Sequence, residues 1–304
     1  MRQNPSEQCI TPLKNSIEGT IEAVIQGVIN YFSSLNIAVI GVGERLHIAL
    51  PLVYVFIPYF LPALTKLGFK QLLFELLYAD TKDELKDVYG MLNKHAKEPT
   101  EEKIRLLKDI ILGDPRRFRV LNLQYRELEA KDSYYRPYNL LLLIVRAYEL
   151  GVKLYGIVNS KEMQKVNNDE EEMYLIGESG RKQAEILKLN GKLIVYGGDA
   201  HVGCKALNFV VGGFDNPERI VFGADLFSAG EMNKKYKYIN LTILCGTEKI
   251  FDKAPDAFLE AGRNFYKKEF RTLKPGMARA ILITAEDEHR IILLYNNTNS
   301  YMGK

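Results

Sequence analysis

Two short apolar runs, Ile37-Ala38-Val39-Ile40 and Lys192-Leu193-Ile194-Val195-Tyr196, each lead through glycine into a histidine, giving Gly43-Glu44-Arg45-Leu46-His47 and Gly197-Gly198-Asp199-Ala200-His201. Runs this short and this rich in β-branched residues read as central parallel strands covered on both faces. Parallel strands need crossover connections, which commits the chain to an α/β arrangement. In open α/β sheets ligands gather at the carboxyl ends of the strands. His47 and His201, with Glu44 and Asp199 beside them, are therefore candidate site residues wherever the two strands lie near one another.

The rest of the chain supplies the alternation this requires. Residues 16–35 carry Ile17, Ile21, Val24, Ile25, Val28, Ile29 and Phe32 in a helical rhythm, which predicts an N-terminal helix within residues 1–36. Lys70 to Glu75 reads as a second buried strand with Glu75 at its carboxyl end. Charged, helix-favouring stretches at 81–95 and 99–112 predict a helical insertion over residues 80–135. A helix over 138–150, stopped by Gly151, leads into a strand over 152–158. The acidic stretch 160–172 reads as a surface loop before a helix over 173–189 that carries Arg181. Apolar runs at 219–222 and 238–245 extend the sheet, and 278–284 with 290–295 flank a charged turn, predicting a terminal β-hairpin over 277–296. No repeat or low-complexity linker interrupts residues 1–304. The expectation is one α/β domain with a largely parallel central sheet and helices on both faces.

Composition narrows the function classes. The 41 basic and 38 acidic residues leave a net charge of +3, too balanced for a nucleic-acid binder. Cys9, Cys204 and Cys245 are odd in number and lack metal-finger or CxxC spacing, which favours free thiols in a reducing compartment. No basic n-region with an apolar core opens the chain, so no Sec-type signal is expected and the location is read as cytoplasmic. Residues 48–65 contain no charged side chain, long enough on length alone to nominate a membrane span. Pro51, Pro58 and Pro62 within it remove backbone donors, so a buried or interfacial helix is expected, with membrane contact as the lesser alternative.

Histidine beside carboxylates suits general-base chemistry on water, because its ordinary pKa lies near neutrality and a carboxylate orients the ring while stabilising imidazolium. His47 with Glu44 or Glu75 has that composition. His201 would hold an oxyanion or protonate a leaving group, and Arg181 would bind an anionic or charge-developing substrate. Equally, His47 and His201 with a carboxylate would hold a divalent ion and leave a water position open. Spacing does not choose between these two.

Taken in order, Gly43-Glu44-Arg45-Leu46-His47, Glu75 at a strand end, Arg181 in a helix and then Gly198-Asp199-Ala200-His201 resemble the erythromycin esterase, ChaN and Tiki superfamily over residues 37–210. The resemblance to the esterase branch implies ester hydrolysis by histidine-activated water with no cofactor required. On that reading His47 is the base, Glu44 and Glu75 orient it, and His201 and Arg181 stabilise substrate charge. The Tiki-like branch implies instead a divalent metal at His47 and His201 and a peptide substrate. The ChaN-like branch implies haem binding without turnover. The partner is then a small-molecule or peptide substrate rather than nucleic acid.

Plainer readings stand beside these. Glu44 is also placed to cap a helix, Glu75 to pair with a surface lysine, His201 to be a bonded core histidine and Arg181 an ordinary helix-face cation. His95 and His289 fall in charged, solvated contexts and receive no role. Gly177-Glu178-Ser179-Gly180 is one residue short of a nucleophile elbow and follows no strand, Cys204 reads as a buried thiol, and Arg116-Arg117-Phe118-Arg119 reads as a solvated loop. No Walker A loop or dinucleotide fingerprint is present.

Overall fold

Apolar runs become strands here where both of their faces are covered, and amphipathic runs become the helices that cover them. The structure is a computed structural model and describes residues 16–35, 37–44, 51–130, 136–187, 190–198, 238–246, 260–285 and 288–297. In chain order these form β1 (Ser16–Thr20), α1 (Ile21–Leu35), β2 (Val39–Glu44), a π-helix (Leu52–Phe60) running into α2 (Leu61–Lys66), and β3 (Gln71–Tyr78). After a 3-10 turn at Ala79–Thr81 come α3 (Lys82–Lys94), α4 (Thr100–Gly113), α5 (Arg119–Ala130), α6 (Pro137–Leu150) and β4 (Lys153–Val158). Then follow α7 (Ser160–Met163), α8 (Asp169–Leu187), β5 (Leu193–Gly198), β6 (Tyr238–Gly246), α9 (Glu260–Thr272), β7 (Met277–Ala285) and β8 (Glu288–Asn296). The architecture is mixed α/β with mostly parallel strand pairing and a C-terminal hairpin, as the alternation of apolar runs predicts. The chain gathers into two compact units, residues 52–197, and residues 1–51 with 198–304.

In the unit of residues 52–197, β3 is central and runs parallel to both neighbours. Gln71 pairs with Leu193 of β5 and Lys153 of β4, and Phe74 with Tyr196 and Gly156. Leu193, Ile194, Val195 and Tyr196 are all buried, as expected of a strand covered on both faces. Three side chains at the amino ends of β3 and β5 close three helices. Lys192 Nζ donates to the Leu67 carbonyl after α2 (3.1 Å), Lys70 Nζ to the last carbonyl of α6 at Leu150 (3.0 Å), and Gln71 Nε2 to that of α8 at Leu187 (3.1 Å). Each satisfies a carbonyl the helix itself leaves open, and the two lysines also oppose the negative helix end. Gly151, at φ +64°, supplies the left-handed residue that stops α6.

The charge-free segment is core. Pro58 cannot donate and crowds the preceding turn, and the chain answers with a wider π-helical winding over Leu52–Phe60. Leu52, Val55, Phe56, Ile57 and Phe60 are buried, and the Phe56 ring meets that of Tyr196 at 4.7 Å between centroids. Among the described residues no helix is long and apolar enough to cross a membrane.

Residues 82–130 hold α3 to α5, which polar groups tie together. Glu84 accepts from the N–H groups of Val120 (2.9 Å) and Leu121 (2.8 Å) at the start of α5. Glu149 of α6 takes Lys103 (2.9 Å), Thr100 (3.0 Å) and Arg146 (2.6 Å). The carboxyl end of β3 joins α5 through the Tyr78 hydroxyl, which donates to Glu127 at 2.6 Å. Burial first, and then the negative partner, push that phenol above its ordinary range. The stretch 160–172 is not the loop expected from its acidity. Asp80 accepts from the N–H (2.9 Å) and Oγ (2.6 Å) of Ser160 and starts α7. Asn168 Oδ1 accepts from the Glu171 N–H (2.9 Å), so the acidic run is the first turn of α8, where negative charge suits the helix dipole.

In the unit of residues 1–51 with 198–304, the strand order is β1-β7-β8-β6-β2. β2 is parallel to β6 and β6 to β8, while β7 is antiparallel to β8 and β1 to β7. The expected single helix over 16–35 is a strand followed by a helix. Ser16 to Thr20 pair with Ile281 to Met277, and Thr20 Oγ1 accepts from the Ala23 N–H (3.3 Å), so the helix begins at Ile21. Glu18 in this edge strand pairs with Arg279, which also binds Glu269 of α9. His289 lies in the ladder opposite Thr284 rather than in the turn. Cys245 is buried in β6, and burial pushes its thiol up to about 12. Cys9, Cys204 and the run at 219–222 lie outside the described residues.

Candidate functional site

The candidate site residues divide unevenly. His47 and His201 lie outside the described residues. Glu44 is the last residue of β2, with backbone paired to Ile243 of β6. Arg181 lies within α8 and Glu75 within β3. Of the five, Glu75 is the one whose side chain the structure describes in full.

Glu75 is not at the end of its strand. β3 continues to Tyr78, and its pairing with β4 slips between Phe74 and Tyr78, where Phe74 faces Gly156 and Tyr78 faces Val158. Four steps along β3 thus match two along β4, so β3 carries two extra residues as a bulge that begins at Glu75. Bulges of this kind re-aim side chains at sheet edges and beside active sites.

Regular alternation through Phe74 sets the side of β3 on which Glu75 leaves the ladder, and the bulge sets how its carboxylate is placed from there. Gln71, Leu73 and Glu75 share one side of β3, and Gln71 reaches α8 from that side. Phe74 and Tyr196 share the opposite side, where their rings lie 5.7 Å apart next to Phe56. Glu75 therefore points to the α8 side, alongside Gly197 of β5. There the half-buried carboxylate fills the space a side chain at 197 would take, since a β carbon on Gly197 would stand 2.2 Å from Glu75 Oε2 and 3.1 Å from its Cβ. Gly197 opens the second histidine motif. The unit thus sets a carboxylate directly against the first residue of that motif.

The backbone of α8, which carries Arg181, runs back along the sheet from its tie to β3. Its C-terminal carbonyl, Leu187, is held by Gln71 at the start of β3, and α8 leads directly into β5, so it runs antiparallel to the strands. Arg181 lies six residues before Leu187, about 9 Å along the helix at about 1.5 Å per residue. Glu75 lies four residues beyond Gln71, about 13 Å along the strand at about 3.3 Å per residue.

Two features of the site neighbourhood escape a reading by motif. One is Gly156, an isolated glycine inside the strand 153–158, and such a glycine signals a bulge or a close backbone approach. The other is Tyr78 with Glu127, which joins the bulged strand to α5 and has no motif signature. Among the described residues no group of three or more His, Cys, Asp or Glu side chains is placed to hold a metal ion.

No protein-family profile matches the sequence, and no curated protein matches it. Solved structures with similar backbones include the type III effector HopBA1, 10% identical, with 95% of this chain and 100% of that one covered and a TM-score of 0.43. A succinoglycan biosynthesis protein is 11% identical, with 92% and 93% covered and a TM-score of 0.41. A Bacillus cereus protein is 13% identical, with 75% and 71% covered and a TM-score of 0.37. At these scores they carry no residue-by-residue correspondence to the site.

Proposed function

We propose that the protein is a hydrolase of the esterase-like kind, related to the erythromycin esterase, ChaN and Tiki superfamily, acting on a small-molecule or peptide substrate through histidine-activated water. The observation that supports this reading is the approach of Glu75 to Gly197. It sets a carboxylate against the first residue of the motif that carries His201, so an acidic group stands beside one of the two histidine motifs on which the reading draws.

In this reading His47 takes the proton from water, with Glu44 and Glu75 as orienting carboxylates. His201 and Arg181 stabilise the negative charge that develops on the substrate oxygen, the contribution that preorganised donors make to acyl transfer. The glycine at 197 serves the chemistry by its absent side chain, which lets the carboxylate lie on the strand end.

A chromogenic p-nitrophenyl ester series assayed in EDTA tests the reading. Turnover that survives the chelator and is lost in a folded His47→Ala protein is the expected result. Hydrolysis that EDTA abolishes and a divalent cation restores would move the assignment to the metal-dependent peptidase branch. Unchanged turnover in His47→Ala would overturn it.

A further inference from the structure

We infer that Gly156, on the neighbouring strand β4, is a positioning residue for Glu75, because the bulge that aims the carboxylate closes onto the space where a side chain at 156 would be. This rests on the assignment of Glu75 to the reaction proposed above.

A β carbon on Gly156 would lie 2.2 Å from the Tyr78 carbonyl carbon, 2.3 Å from the Leu77 oxygen and 2.3 Å from the Tyr78 oxygen. These are backbone atoms, so no change of rotamer relieves the clash. With any other residue at 156 the two extra residues of β3 must lift off β4. The bulge has only one other boundary on this sheet, the β5 side, and there Gly197 again presents no side chain. Glu75 thus lies in a bulge whose far end closes on Gly156, while its own side chain closes on Gly197. Gly156 sets where the backbone bends, and Gly197 leaves room for the carboxylate that the bend delivers.

A close-packed strand pair transmits such a displacement rather than absorbing it. Lifting Leu77 and Tyr78 off β4 displaces the bulge that contains Glu75, and a misplacement of about 1 Å in a catalytic group costs on the order of a hundredfold in rate. In the proposed reaction Glu75 acts in the chemical step, so the loss falls on kcat.

The test is Gly156→Ala in the full chain, compared with Gly90→Ala in α3, where an added β carbon meets nothing within 4 Å. The first readout is the carboxyl carbon resonance of Glu75, assigned with Glu75→Gln. It is expected to move in Gly156→Ala while the Glu149 resonance stays in place, and to be unchanged in Gly90→Ala. The second is ester hydrolysis, with kcat expected to fall roughly a hundredfold and KM to stay within about twofold. If Gly156→Ala does not fold, Leu76→Gly loosens the same bulge without adding atoms and is expected to shift or broaden the Glu75 signal. A Glu75 resonance unmoved in the folded variant, or in Leu76→Gly where that variant is needed, overturns the proposal. A moved resonance in a protein without esterase activity would instead leave the positioning intact and refute the hydrolase assignment.

Discussion

Glu75 Oε2 stands where a side chain on Gly197 would be, 2.2 Å from the position of a β carbon there. The nearest atom is the far end of a flexible side chain rather than backbone, so an alanine at 197 is accommodated by pushing the carboxylate aside, with the Glu75 β carbon, 3.1 Å away, giving by a few tenths of an ångström. Gly197→Ala is therefore expected to keep its fold and to lose on the order of a hundredfold in ester turnover. Near-normal far-ultraviolet circular dichroism with lost turnover would bear this out, and full turnover would not.

Phe56 should behave as a core residue. It is fully buried in the π-helical segment against Tyr196, inside a stretch whose lack of charge also fits a membrane surface. Phe56→Ala is expected to destabilise the chain by about 3–5 kcal/mol in urea unfolding, the cost of a large core deletion. A loss under about 1 kcal/mol would mark the segment as peripheral.

Glu149 ties α4 to α6, and its environment predicts a pH signature. Burial alone would raise its pKa, but the hydrogen bonds from Lys103, Arg146 and Thr100 outweigh it and the net direction is down. A depressed carboxylate contributes stability above its unfolded pKa of about 4.3 and loses it as pH falls through the lower folded value. Glu149→Gln should thus lower stability by about 1–2 kcal/mol at neutral pH, less than for a fully buried pair because Glu149 keeps some contact with water. The gap from the wild type should close below about pH 4. A gap that stays constant to pH 3 would show that the charge on Glu149 does not stabilise the fold.

Much of the architecture is legible in the sequence because single-period signals dominate it. The buried runs at 193–196 and 238–245, the helices at 82–94, 100–113 and 137–150, and the terminal hairpin each have one apolar period and a clear stop. The misreadings fall where a local bond decides between two acceptable conformations. Ile17 and Ile21 suit one helix by spacing, but Thr20 caps at its own position and releases Ser16–Thr20 to pair with β7. The acidic run at 169–172 looks like a solvated loop until Asn168 caps it.

The site was less legible than the fold. Glu75 is recognisable as a carboxylate in a buried strand, but its aim depends on a slipped register between β3 and β4, and register is a property of two strands together. The contribution of Gly156 and Gly197 is the room they leave, which only the neighbouring strands reveal.

The most direct measurement is the steady-state kinetics of Glu75→Gln on a p-nitrophenyl ester in EDTA, with melting temperature recorded alongside. The substitution keeps the shape that rests on Gly197 and removes the charge. A fall in kcat on the order of a hundredfold or more at an unchanged melting temperature is the predicted result, within the range general acid–base groups contribute. Wild-type kcat and KM in the folded variant would contradict the account, leaving Glu75 a structural carboxylate packed against Gly197.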